Sequence, residues 1–152
     1  MRLPIYLSLL GHAETTLAEA YLDVAEAHGH EPDIHFLCLS FARQCVDHAQ
    51  QLVPVVHRLG AAPVDDEPER LHARGLGEPR SGPLGMLRDL HDVYVLAGFV
   101  DMTWTVVGQS AHALRDSELI GVVDACEQQT AAQLVWLQTR MKQSAPQVLV
   151  GP

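Results

Sequence analysis

Aromatic residues are scarce in this chain, with two Trp, three Tyr and three Phe among 152 residues. Half-buried sheets draw on aromatic and β-branched side chains, so a sequence dominated by Ala, Leu and Val points to helices. Cysteine is also sparse. Cys38, Cys45 and Cys126 form an odd set without a CxxC spacing, which argues against a zinc ribbon and a disulfide framework and makes a reducing cytoplasm the expected compartment. No basic run offsets the net charge of −9, so the chain has neither the footprint of a nucleic-acid binder nor a patch for an anionic membrane. The apolar run within Met1 to Leu10 is too short to span a bilayer and lacks a persuasive cleavage site, and it reads as the first turns of a helix. Absent too are a phosphate-binding Gly loop, a nucleophile elbow and a triad spacing, so an ordinary hydrolase or nucleotide enzyme has no support.

What is present is regular. Gly and Pro punctuate the chain at Pro4, Gly29 with Pro32, Gly60, Gly82 with Pro83, and Pro146, and long helical stretches lie between them. The first is expected from about Pro4 to His28, with Leu7, Leu10, Glu14, Leu17, Tyr21 and Val24 on one face. The second opens at Pro32 and runs to about Leu59, with Ile34, Leu37, Phe41, Cys45, His48, Leu52 and Val55 in line and a kink expected at Pro54. Residues 60–82 are rich in Gly, Pro and charge and lack periodicity, which predicts a long crossover. The third helix is expected from about Leu84 to Leu114, with Leu87, Leu90, Tyr94, Ala97, Asp101, Trp104 and Gly108 in line. A turn at 115–118, whose Asp or Ser can cap the next N-terminus, leads to the fourth, ending near Gln143 and aligning Ile120, Val123, Glu127, Thr130, Leu134, Leu137 and Met141. The prediction is one all-α domain over residues 1–152, a four-helix bundle of two antiparallel hairpins joined by one crossover. A chain of this size buries roughly two-thirds of its unfolded surface and needs no metal or disulfide to hold it together.

Each stripe is interrupted by polar residues near its middle. Counted from the hairpin turns, Glu14 stands level with Cys45 and His48, and Asp101 stands level with Glu127 and Thr130 to within about one 5 Å helical turn. A carboxylate in a dry core costs several kcal/mol unless it is paired, protonated or bound to a cation. The layer therefore calls for an explanation.

In position this layer resembles the ferritin-like di-iron and di-manganese proteins, in which two helices each give a Glu and two each give Glu-x-x-His. Glu14 matches the first Glu, Cys45-Val-Asp-His48 stands where the first Glu-x-x-His belongs, Asp101 matches the second Glu, and Glu127-Gln-Gln-Thr130 stands where the second Glu-x-x-His belongs. The resemblance implies a ferritin-like fold and a candidate metal set of Glu14, Cys45, His48, Asp101 and Glu127. Three departures weaken the centre, since Cys45 replaces a Glu, Thr130 replaces a His and Asp101 is one methylene short. Two expectations follow. In one, the protein is a non-catalytic oligomeric accessory or interaction protein without a cofactor, in which His48 hydrogen-bonds Glu14, and Thr130 and Asp101 satisfy each other. In the other, it is a divergent oxidoreductase or storage protein binding iron, manganese or zinc, with Cys and His favouring zinc or another borderline metal. The balance favours a protein that is not an enzyme, and no residue is assigned a catalytic role.

Most of the nine histidines, among them His28, His30, His35, His57 and His72, fall at helix ends or in the crossover and are expected at the surface. Met86, Met102 and Met141 read as core filler rather than haem ligands. The run from Val93 to Val107 is apolar nearly all round, so the third helix is expected to be buried on more than one side, with part of it in a homodimer interface, and Trp104 and Trp136 between helices or at that interface. The apolar tail at 148–152 could dock on a protein partner or remain disordered.

Overall fold

In the computed structural model, which describes residues 1–60 and 74–152, the chain forms four helices: α1 (Leu3–Ala27), α2 (Pro32–Leu59), α3 (Gly82–Leu114) and α4 (Ser117–Leu149). No strand occurs among the described residues. Pro4, Pro32 and Pro83 each sit in the first turn of a helix, where a missing N–H costs nothing. Asp116 caps α4 by accepting a hydrogen bond from the Leu119 amide at 3.2 Å. Arg115, at φ 54°, turns the chain between α3 and α4. The last helix is longer than its sequence suggests, because it continues through Pro146 to Leu149. Proline removes one intrahelical hydrogen bond, and here that loss falls in the final turns, where Pro146 and Gln147 are exposed.

Packing places α1 against α2 and α3, and α4 against α3 and α2. All four contacting pairs are antiparallel. Along α1 and α3, Glu14 meets Trp104 and His28 meets Asp89. Along α3 and α4, Gly108 approaches Val123 and Thr105 meets Glu127. Consequently α2 and α3 lie diagonally and run the same way, so α2 ends at one end of the bundle and α3 begins at the other. Within the expected crossover of 60–82, residues 61–73, including His72, lie outside the described residues, while Gly75 lies beside Thr16 of α1 and Leu76 packs on the core.

The core runs through all four helices and includes Leu10, Leu17, Tyr21, Ile34, Leu52, Leu90, Trp104, Leu119 and Leu137. Its face on α3 is rotated from the expected one. The buried series is Met86, Leu90, Val93, Ala97, Val100, Trp104, Val107 and Ala111, which leaves Leu87 and Asp101 at the margin. On α4, Cys126, Thr130 and Gln133 point inward while Glu127 is half-buried. The α2–α4 seam is the least closely packed of the four, and it is bridged by rungs in strict register. Phe41 stacks edge-on with Trp136 at 5.7 Å, Gln133 Nε2 donates to Gln44 Oε1 at 2.9 Å, His48 Nε2 meets Gln129 Oε1 at 2.7 Å, and the Cys126 thiol lies 3.8 Å from Gln51 Oε1.

Candidate functional site

The centre of the bundle holds a carboxylate. Glu14 is fully buried on α1, and its Oε1 accepts two hydrogen bonds, from His48 Nδ1 at 3.1 Å and from Trp104 Nε1 at 2.7 Å. The expected pairing of Glu14 with His48 is therefore present. Heptad-like spacing on α2 brings Phe41, Cys45, His48, Leu52 and Val55 to one buried face, and His48 is the one member with two ring nitrogens to satisfy. Both face oxygens, Glu14 Oε1 on one side and Gln129 Oε1 on the other. Protonated, the ring donates to both oxygens; neutral, it donates through one nitrogen and accepts from the Gln129 amide turned over. Burial works against that charge, but the hydrogen bond to Glu14 and its negative charge, with smaller help from Gln129 and Asp47, outweigh burial and raise the His48 pKa above its ordinary 6.5. These influences favour a charge pair in the core, with a donor from α3 and an amide from α4 beside it.

Around this pair the polar groups are connected. Tyr21, two turns further along α1, donates to Gln133 Oε1 at 2.9 Å, which orients the Gln133 amide so that its nitrogen reaches Gln44 and lies 4.0 Å from Cys45 Sγ. Burial, and then the charge of Glu14, push the Cys45 thiol well above its usual range, with the nearby Gln133 amide acting in the opposite direction. Burial likewise raises Tyr21, with Cys45, Cys38 and Glu14 adding to it. These groups are held neutral. One polar atom stands apart, because Glu14 Oε2 is buried without a hydrogen-bond partner.

Asp101 and Glu127 do not join this layer. Asp101 is half-buried, and burial followed by repulsion from Glu127 raises its pKa. Glu127 Oε1 accepts from Thr105 Oγ1 at 2.9 Å. Thr130 does not satisfy Asp101 as expected; its hydroxyl donates to the Cys126 carbonyl of its own helix at 2.9 Å. The α3 residue at the level of Glu14 is Trp104, not Asp101.

That placement bears on metal binding. A dinuclear carboxylate centre needs the inward groups of four helices to converge, whereas here Glu14 Oε1 faces an indole N–H that cannot be deprotonated and ligate, and both nitrogens of His48 are engaged. Asp101 of α3 and Glu127 of α4 lie at the bundle margin. Among the described residues no three His, Cys, Asp or Glu side chains come together as a metal-holding group. The five candidate residues thus do not fit a dinuclear centre as arranged.

A second buried polar cluster lies near the α1–α2 turn. His28, which its position at a helix end suggests is exposed, is fully buried, with Nε2 2.8 Å from Asp89 Oδ2. Asp89 also accepts from the Arg80 amide at 2.9 Å and from Arg80 Nη1 at 2.8 Å. His28 Nδ1 has no partner. His30 and His57 are exposed and His35 is half-buried with Nδ1 donating to the Ala25 carbonyl at 2.8 Å, in keeping with peripheral roles. The sequence offered one signal for the buried pair, since Asp89 and His28 are separated from Trp104 and Glu14 by nearly equal steps along their helices, in the sense that antiparallel packing requires.

No helix among the described residues is long and apolar enough to cross a membrane. No family model matches the chain, and no curated protein matches it.

Proposed function

We propose that this chain is a ferritin-like bundle whose central layer is a metal-free structural ion pair, and that it acts as a non-catalytic, cytoplasmic accessory protein that assembles as a homodimer. The observation that carries this reading is the engagement of Glu14 Oε1 by two N–H donors, one of them the indole of Trp104. A carboxylate so placed has its charge balanced within the protein. The energetic need that a metal would otherwise meet is already met.

Support for assembly comes from the outer face of α3. Val95 and Met102 are 64% and 61% exposed, Val106 is 38% exposed, and half-buried Phe99 lies between them. The stripe 95, 99, 102, 106 reads the same from either end. Two copies of α3 laid antiparallel about a two-fold axis would set Val95 against Val106 and Phe99 against Met102, the self-complementary pattern that an isologous interface requires.

A second reading, a single divalent metal (iron, manganese or zinc) in a divergent ferritin-like metal-binding protein, has one observation in its favour, the buried Glu14 Oε2 without a hydrogen-bond partner. One experiment separates the two. Protein produced with added iron, manganese or zinc is analysed for metal content, melting temperature and molar mass. The first reading expects a dimer with substoichiometric metal and an unmoved melting temperature, since a ligand bound to the native state must stabilise it. One metal per chain, lost in Glu14→Ala, would overturn it in favour of the second. A strict monomer would refute the dimer.

A further inference from the structure

The descending end of the crossover differs from the helices in how it is held. Residues 74–81 are exposed except for Leu76 and Arg80, which are half-buried. The segment runs from Gly75, beside Thr16 of α1, to Arg80, which reaches Asp89 of α3 and through it His28 at the end of α1. Among the described residues, the hydrogen bonds that tie this segment to the helices all come from Arg80, whose amide and guanidinium reach Asp89 and whose guanidinium also reaches Asp92 at 2.9 Å. Contact at that point is tight. A Cβ on Gly85 would come within 2.7 Å of the Arg80 Cβ, so the close approach requires glycine there. Immediately beyond, Gly82 has φ 77° with open space around it, a backbone pivot that other residues rarely adopt.

We infer that residues 74–81 form a detachable strap that pivots at Gly82 and is held shut by the Arg80–Asp89–His28 clasp. Opening does not leave Asp89 without a partner, because it keeps its 2.8 Å bond to His28 when Arg80 leaves, and the Arg80 guanidinium, already about a third exposed, returns to water. What the strap gives up is the seat of Leu76 on the core and the bonds of one arginine. Elements with few apolar contacts and few backbone hydrogen bonds open locally at a small fraction of global stability. The helices under the strap have neither weakness. Release therefore uncovers the core beside Leu76 and the Asp89–His28 pair while leaving the bundle folded.

Two measurements on the full chain test this. In the unaltered protein, followed by hydrogen exchange, the Arg80 amide should exchange through an opening that low urea does not accelerate, whereas amides in the middle of α3 should exchange only through urea-sensitive global unfolding. Limited trypsin digestion reads the same event at the Arg80–Ser81 bond. Both Asp89→Asn, which weakens the clasp, and Gly85→Ala, which crowds it without removing charge, should speed that cut on the order of tenfold, while cuts after Arg43 and Arg140 within the helices stay slow. An Arg80 amide with the same urea dependence as the core amides would overturn the inference, as would variants in which the Arg80 cut rises only in step with the helical cuts. Should either variant fail to fold, the exchange measurement on the unaltered chain decides.

Discussion

Trp104 and Glu14, ninety residues apart in the chain, meet in the core through a 2.7 Å hydrogen bond from the indole Nε1 to the carboxylate Oε1. That contact, more than any other, fixes what the central layer can be. It supplies the second N–H to an oxygen already bonded by His48, so the layer is arranged as a solvated anion would be, with protein donors in place of water.

Removing the anion should therefore be costly. Glu14→Ala leaves a buried imidazolium without its counter-charge and an indole N–H without an acceptor, and breaking such a pair costs roughly 3–5 kcal/mol. Urea unfolding followed by circular dichroism would show the loss. A change below about 1 kcal/mol would mean that His48 is neutral and the pair contributes little.

Trp104→Phe tests the donor alone. The ring volume is largely kept and one hydrogen bond to a charged group is lost, so stability should fall by about 1.5–3 kcal/mol, plus a smaller loss from incomplete filling. Because Trp104 is fully buried and Trp136 is partly exposed, the same variant should remove the blue-shifted component of the fluorescence spectrum.

Stability should depend on pH with a definite sign. The folded pKa of His48 lies above its ordinary 6.5, so the fold favours the protonated ring. The contribution of the pair is complete below the unfolded pKa and is lost as pH rises through the folded value. Comparing urea midpoints between about pH 6 and about pH 9, the unaltered chain should lose stability relative to His48→Gln as pH increases. A difference that stays flat, or grows with pH, would contradict a protonated His48.

Thiol chemistry gives a fourth outcome. Cys38 and Cys126 are pushed up to about 12, Cys38 by burial and then by Asp33, Cys126 by burial and then by Glu14 and Asp47. Since thiolate is the reactive form, a chromogenic disulfide reagent should label the native protein only at its unfolding rate, and all three cysteines rapidly in denaturant. Fast labelling of one cysteine in the native state would reveal a local opening at that position.

At the bundle end, Asp116 both caps α4 and accepts from Arg58 at 2.8 Å. Asp116→Ala should cost about 1 kcal/mol through the lost cap, read as a drop in melting temperature, and Asp116→Asn should recover most of it. Equal losses in the two variants would place the effect in the ion pair with Arg58 instead.

Much of this arrangement was legible before the structure. Pro4, Pro32 and Pro83 marked helix starts because an N-terminal turn has no use for the missing N–H, and counting from the turns put Glu14 level with His48 because antiparallel helices share a fixed rise. The partners on the other two helices were not legible. A helix turns by only 100° per residue, so a stripe with Asp101 in place of Val100 still holds Leu90, Ala97 and Trp104 and keeps most of its apolar character. Gln129 and Gln133 carried no hydrophobic signal, and a glutamine reaches a core ligand only through a geometry that sequence does not encode. His28 was hidden by its place at a helix end, where its burial depends on Asp89 sixty-one residues away.

The rungs between α2 and α4 carry a further implication. As the α2 number rises from 41 to 44, 48 and 51, the α4 number falls from 136 to 133, 129 and 126, step for step. Deleting a single residue of α4 between 126 and 133 would swing everything beyond it through about 100°, turning Trp136 away from Phe41 and unmaking half the rungs at once. Related chains should therefore differ in length between these helices, and hardly at all within them.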